Sequence, residues 1–221
     1  ERGKITVFAK GARRARSNLS ASTEMFVYGT FECYEGRNAY TLLRVKVHDY
    51  FRNITNSFEG VSLGYYLLEL CSYYAVEGSP EKEMLNLLYI SIAAIIKNDT
   101  PREKAEDIYA TDLSMVRLIF ELRLMVIFGE YPGLDEDTEY YDLKELKSVS
   151  GHSSANEIRL SAAAVYTIRY IQYIELTRLY NFKIGKEVYY EVKTFLERYI
   201  FLHRHHCFRS WEMIETGKFL L

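Results

Sequence analysis

Proline, cysteine and long apolar runs are all scarce in this sequence, and each shortage excludes a class of protein. Three prolines in 221 residues, with 48% apolar and 26% charged side chains, leave no room for a collagen-like or disordered chain. No stretch rich in Pro, Gly or Ser acts as a linker, and no internal repeat is evident. Cys33, Cys71 and Cys207 are odd in number and far apart, which excludes a disulfide framework and a CxxC metal knuckle. A reducing cytoplasm is the expected setting. The stretch Ile90 to Ile96, broken by Ser91, is far short of the ~20 residues that cross a bilayer, and the first residues do not read as a signal segment. No membrane partner is expected. The chain also lacks GxGxxG, GxxxxGK[ST] and HExxH signatures, so neither an enzyme nor a cofactor is expected.

What is present is unevenly distributed. The formal charge of -2 is the sum of +5 over residues 1–52, where 10 Lys/Arg face 5 Asp/Glu, and -7 over residues 53–221. A basic module joined to an acidic one suggests a polyanionic partner for the first and a separate task for the second. Lys4 to Lys10 alternates Ile5, Val7 and Ala9 with Thr6 and Phe8, the period of a strand that Gly11 ends. Met25–Tyr34 and Tyr40–Val47 read as two further strands, joined by a Glu35-Gly36-Arg37-Asn38 hairpin turn. On the second, Leu43, Val45 and Val47 are expected in the core, with Arg44, Lys46 and His48 on the opposite face.

After residue 53 the period becomes helical. Leu63, Leu67, Leu70, Cys71 and Tyr74 mark a first helix. Ser79-Pro80 is expected to start a second, with Leu85, Leu88, Ile92 and Ile96 on its apolar face. Thr100-Pro101-Arg102-Glu103 combines a capping box with a first-turn proline. Leu113, Val116, Phe120, Leu124 and Ile127 form the next stripe, stopped by Gly129 and Pro132. Residues 133–157 show no long period and read as a loop or short irregular insert. Helices are then expected over Ser161–Tyr180 and Gly185–His203, the latter carrying Val188, Val192, Phe195 and Tyr199, before a short tail. The fold class is α+β in two parts: an OB-fold-like β module over residues 1–52 and a mostly helical domain over 53–221.

Lys10-Gly11-Ala12-Arg13-Arg14-Ala15-Arg16-Ser17 sets four cations in seven residues at a strand end, and such a loop can neutralise several phosphates. A solvated basic loop is the plainer alternative. Tyr28, Tyr34 and Tyr40 are candidate base stackers, against the ordinary role of strand aromatics as packing residues. His203, Arg204, His205, His206 and Cys207 invite a metal reading, but no set of converging ligands accompanies them, and a His/Arg-rich helix end is explained by the helix dipole. The acids from Asp135 to Asp142 lack the spacing of a calcium loop and read as solvated. Ser153 and Ser154 beside His152 read as ordinary loop composition. No metal site is expected.

With those elements placed, the sequence resembles the RecO family of bacterial recombination mediators. Residues Gly3 to Arg14 resemble the strand and basic loop of that family's N-terminal oligonucleotide-binding barrel. Tyr28-Gly29-Thr30-Phe31-Glu32 and Tyr65-Tyr66-Leu67-Leu68-Glu69-Leu70 resemble its next strand and first core helix. Phe120-Glu121-Leu122-Arg123-Leu124, with Gly129, Pro132 and Leu134-Asp135, resembles the helix leading into its zinc insert, and Arg209-Ser210 a C-terminal pair. Two departures stand out. Residues 136–157 contain no cysteine, so zinc is not carried over. Glu1 is not a methionine, and the family's five-stranded barrel has two strands before this point, so about thirty further leading residues are expected.

The resemblance implies a DNA-binding mediator that anneals single strands and helps the RecR partner load recombinase onto DNA coated with single-strand-binding protein (SSB). It implies single- and double-stranded DNA, RecR and the acidic, apolar C-terminal tail of SSB as partners, and association with the nucleoid during repair. Candidate phosphate contacts are Lys10, Arg13, Arg14 and Arg16, followed by Lys4, Arg37, Arg44 and Lys46. The alternative is a helical interaction or ligand-sensing protein with a small basic β docking module.

Overall fold

The computed structural model describes residues 2–14, 16–17, 19–37, 39–98, 112–151, 154, 156–203 and 208–218. The Thr100–Glu103 capping box, Asn38, His152, Ser153 and the Arg204–Cys207 run lie outside the described residues. Two parts follow one another, a small β module and a mostly helical region, which is the expected α+β class. None of the described helices is long and apolar enough to cross a membrane.

The β module is a three-stranded sheet of β1 (Val7–Phe8), β2 (Tyr28–Glu35) and β3 (Tyr40–Asp49), in the order β1-β3-β2. β2 and β3 pair antiparallel as a hairpin, while β1 runs parallel to β3 with Val7 opposite Tyr40 and Phe8 opposite Thr41. The expected first strand is therefore only two residues long. The hairpin register shifts between Glu32 and Cys33, where Glu32 pairs with Arg44 and Cys33 with Leu42. Leu43 is the extra residue of this bulge, and the expected core assignment is corrected by one position: Leu42 is 7% exposed and Leu43 53%. Val45 and Val47 are half-buried, and Arg44, Lys46 and His48 are exposed as expected.

α1 (Phe58–Tyr74) starts at Ser57, whose Oγ accepts from the Gly60 amide at 2.9 Å, and buries Leu63, Leu67, Leu70 and Cys71. α2 spans Lys82–Asn98. It begins later than Ser79-Pro80, because the Ser79 amide is spent on a turn to the Val76 carbonyl and the first helical bond runs from Leu85 to Glu81. Its buried face is Met84, Leu87, Ser91, Ile92, Ala94 and Ile95, turned by about one residue from the expected stripe. Ser91 tolerates burial because its hydroxyl bonds both the Leu87 carbonyl and the Tyr180 hydroxyl, each at 2.7 Å.

α3 (Leu113–Phe128) is the central element. Asp112 caps it through the Met115 amide, and Gly129, at φ 77°, closes it with a Schellman-type bond from Glu130 N to Met125 O at 2.8 Å. Every residue from Met115 to Leu124 is buried, so it presents no single stripe but packs on all sides. Residues 133–157, read above as a loop or irregular insert, contain instead most of a second antiparallel sheet, in which β4 (Tyr140–Asp142) lies between β5 (Lys147–Val149) and β6 (Glu157–Arg159). Strands of three residues are too short to display a period. Tyr141 and Leu143 anchor this sheet in the core.

α4 (Ala162–Tyr173) starts where expected, with Ser161 as its cap, but stops seven residues before Tyr180. The buried Arg123 of α3 bonds the carbonyls of Ile171 and Gln172, and Gln172 Nε2 donates to Pro132 O at 2.9 Å, so tertiary partners terminate the helix. α5 (Lys186–His203) buries Val192, Phe195 and Tyr199, with Val188 half-buried. The expected tail contains a further helix, α6 (Arg209–Lys218), whose first amides are capped by a carboxylate from α1: Glu69 accepts from Arg209 N at 3.3 Å, from Ser210 N at 3.0 Å and from Ser210 Oγ.

Candidate nucleic-acid interface

The basic loop is folded rather than extended. Successive turns run from Ala12 N to Ala9 O, Arg14 N to Gly11 O and Ser17 N to Arg14 O, at 3.0–3.2 Å. Gly11 sits at φ 77°, a conformation that a side chain would strain, so this position needs its glycine. Lys10, Arg13, Arg14 and Arg16 are all exposed. Because β1 runs parallel to β3 with Phe8 opposite Thr41, the loop leaves the sheet beside the Leu42–Arg44 segment. That brings the root of the loop next to the exposed cations of β3.

On the hairpin, Thr30, Glu32 and Tyr34 of β2 share a face with Lys46 and Arg44 of β3, through the pairs Thr30 with Lys46 and Glu32 with Arg44. His48 joins this face, its Nε2 lying 3.0 Å from Thr30 Oγ1. Arg44 Nε is 4.0 Å from Glu32, both side chains being well exposed, a pair of little energetic weight that leaves the guanidinium available. Arg37 is exposed at the hairpin turn. Among the described residues no carboxylate lies within 4.0 Å of Lys10, Arg13, Arg14, Arg16, Arg37 or Lys46. Unpaired cations on one module are the arrangement that attracts a polyanion.

Lys4 is placed differently. Its ammonium donates to Ser72 O at 2.9 Å in the last turn of α1, where a cation also complements the helix dipole, so it ties the N-terminal segment to the helical region. The three candidate tyrosines separate as well. Tyr28 packs inward on Tyr89 at 4.7 Å, and Tyr40 lies under Arg2, which donates to its hydroxyl at 2.9 Å and holds Glu35 at 2.7 Å. Tyr34, 63% exposed, alone presents an open ring on the cationic face. The sequence reading passed over Arg2, Tyr50 and Arg52. The latter two follow the strand with the same every-second-residue spacing as Arg44, Lys46 and His48, and the Arg52 guanidinium stands 4.6 Å from the Tyr50 ring centre.

The helical region holds two motifs that look chemical and are structural. Gly60-Val61-Ser62-Leu63-Gly64 has the letters of a nucleophile elbow, but it lies inside α1 with Ser62 buried, not on a strand-to-helix turn. Glu121 accepts from Tyr66 Oη and pairs with Arg117 at 3.1 Å, while Arg117 also reaches Glu197 at 3.3 Å and lies 4.4 Å from the Trp211 ring centre. These charges bind α1, α3, α5 and α6 together.

The family models for the two halves of one protein match this chain in order: recombination protein O N terminal over residues 1–51, and recombination protein O C terminal over residues 56–212. The chain belongs to the RecO family. Relatives bearing the name DNA repair protein RecO include that of Acetivibrio thermocellus, 25% identical over 211 residues covering 90% of this chain and 80% of the relative. Those of Alkaliphilus metalliredigens, at 26% with coverages of 91% and 82%, and of Bacillus pumilus, at 24% with 90% and 77%, are similarly distant. Within the RecO framework the resembling segments acquire physical roles. Glu69 of the first core helix meets Arg209-Ser210, 140 residues on, as the cap of α6, and Arg123 of the Phe120–Leu124 block holds the end of α4.

Proposed function

We propose that this RecO-family chain is a DNA-repair mediator that binds DNA through the β module, anneals complementary single strands, and with RecR assists recombinase loading on SSB-coated DNA, without covalent chemistry. The observation that carries the reading is the placement of the basic loop, whose cations have no carboxylate within 4.0 Å among the described residues, beside the exposed Arg44 and Lys46 of β3. Lys10, Arg13, Arg14 and Arg16 contact phosphates first, and Arg37, Arg44 and Lys46 extend the surface. Lys4 contributes to the local potential while its ammonium is bonded at Ser72. A cationic surface lowers the repulsion between two strands, which favours their annealing.

The partner half of the reading rests on the family. A groove of about 450 Å³ between α1 and α2, floored by Leu68, Cys71, Met84 and Leu88 and edged by Lys4, Lys82 and Glu81, supports docking of the apolar part of the SSB tail on the helical region. The decisive experiment is a salt titration of single-strand affinity. Arg13→Ala, Arg14→Ala and Arg16→Ala combined should reduce the log-log slope by about 2 to 3, since each lost phosphate contact is worth about 0.7 to 0.9. An unchanged slope would sink the loop assignment. Annealing of SSB-coated strands should also weaken when SSB lacks its tail, whereas a ligand sensor would be indifferent to it.

A further inference from the structure

The run Asp49-Tyr50-Phe51-Arg52, where β3 hands over to the helical region, turns through a left-handed residue. Phe51 has φ 46°, in the left-handed region that a bulky side chain avoids. Two contacts hold it there. Asp49 Oδ1 accepts from the Phe51 amide at 2.8 Å, and the Phe51 ring is buried edge-on against Tyr89, with centres 5.2 Å apart. With Phe51 turned inward, Tyr50 and Arg52 are both turned outward, and the guanidinium lies over the tyrosine ring at 4.6 Å. Among the described residues Arg52 has no carboxylate within 4.0 Å. With Phe51 held at positive φ, the guanidinium of Arg52 thus covers part of the Tyr50 ring, which is 36% exposed, and the outer faces of the pair are open to a further flat group.

We propose that Tyr50 and Arg52 form a base-stacking station for single-stranded DNA at the end of the cationic track of Arg44 and Lys46. The inference rests on the reading that the β module binds DNA, and it adds a strand preference to that reading. From Arg44 to Tyr50 the strand rise gives a track of about 20 Å, long enough for several nucleotides. A phosphate backbone drawn along those cations arrives at Tyr50 and Arg52 with its bases free to stack. Both groups are planar, and a tyrosine ring or a guanidinium plane accepts the face of any base. In a duplex those faces are already stacked on neighbouring pairs, so only an unpaired strand gains from the station. The preference is for strandedness and not for sequence, because stacking offers no hydrogen-bond readout of base edges.

The test uses the full chain and an oligonucleotide carrying 2-aminopurine, whose fluorescence is quenched on stacking, with a duplex of the same sequence for comparison. Tyr50→Leu should weaken single-strand affinity about 5- to 100-fold, abolish the quenching, and leave both duplex affinity and the salt slope unchanged. Tyr50→Phe should retain affinity and quenching, since the ring is kept. Arg52→Ala should lower quenching and reduce the salt slope by about 0.7, the value of one single-strand contact. Unchanged affinity and quenching in Tyr50→Leu, while the triple loop variant loses its slope, would overturn the station and leave the DNA reading standing. Equal losses on single strand and duplex would overturn it too, as would an effect of Tyr50→Leu confined to a protein partner. If the wild-type chain binds neither form of DNA, the underlying reading fails first.

Discussion

Single positions in the hairpin carry more information than the alternation of the strand suggests. The bulge at Leu43 moves the apolar contact to Leu42, and a second register shift between Tyr28 and Gly29 leaves His48 as a further extra residue on β3. Leu42→Ala should therefore destabilise the β module by about 2 to 3 kcal/mol, whereas Leu43→Ala should stay within about 0.5 kcal/mol, as judged by urea unfolding. Equal effects would mean that the register shift is misplaced. The bulge explains why the alternation was legible from Arg44 to His48, with Val45 and Val47 turned toward the core, while the Leu43 position alone was off by one. Charged side chains reach solvent through small backbone shifts; buried leucines do not.

Among the elements, the small sheet of β4, β5 and β6 depends on a turn held by charge. Asp142 Oδ1 accepts from the amides of Glu145 at 2.9 Å and Lys144 at 2.8 Å, and these bonds, with Lys147 and Lys144 nearby, hold its carboxyl below the ordinary carboxylate value. A depressed folded-state pKa means that the ionised group stabilises the fold above the unfolded value and that this contribution disappears as pH falls through the folded one. Asp142→Asn should lower the melting temperature at pH 7, and the difference from wild type should shrink below about pH 4. A difference independent of pH would assign the effect to packing. This sheet was invisible in the sequence because three-residue strands show no period and their pairing partners are supplied by the fold. α6 was missed for a related reason: its cap, Glu69, lies 140 residues upstream of Arg209.

At the scale of the whole molecule, α3 is the hub, and its buried charges are fasteners rather than chemistry. Arg117 and Glu121 tie α1, α5 and α6, while Arg123, whose burial lowers its pKa, is spent on the carbonyls that end α4. Arg123→Ala should cost about 3 kcal/mol in urea unfolding, because it orphans buried carbonyls at a helix end. DNA affinity measured where the variant is folded should not change. A loss of DNA binding without a loss of stability would instead place Arg123 in the interface.

Composition, periodicity and local punctuation alone determined the two-part α+β class, the charge asymmetry between the parts, the basic loop, the apolar stripe of α1, and the starts of α4 and α5. These are short-range properties, set by neighbours within a few residues. Only the tertiary structure decided which leucine of β3 is inside, where α4 ends, that residues 133–157 form part of a sheet, and that Lys4 serves the seam while Tyr34, Tyr50 and Arg52 stand open. Those outcomes depend on groups far apart in the chain competing for the same buried space and the same hydrogen bonds. No local pattern records the result of that competition.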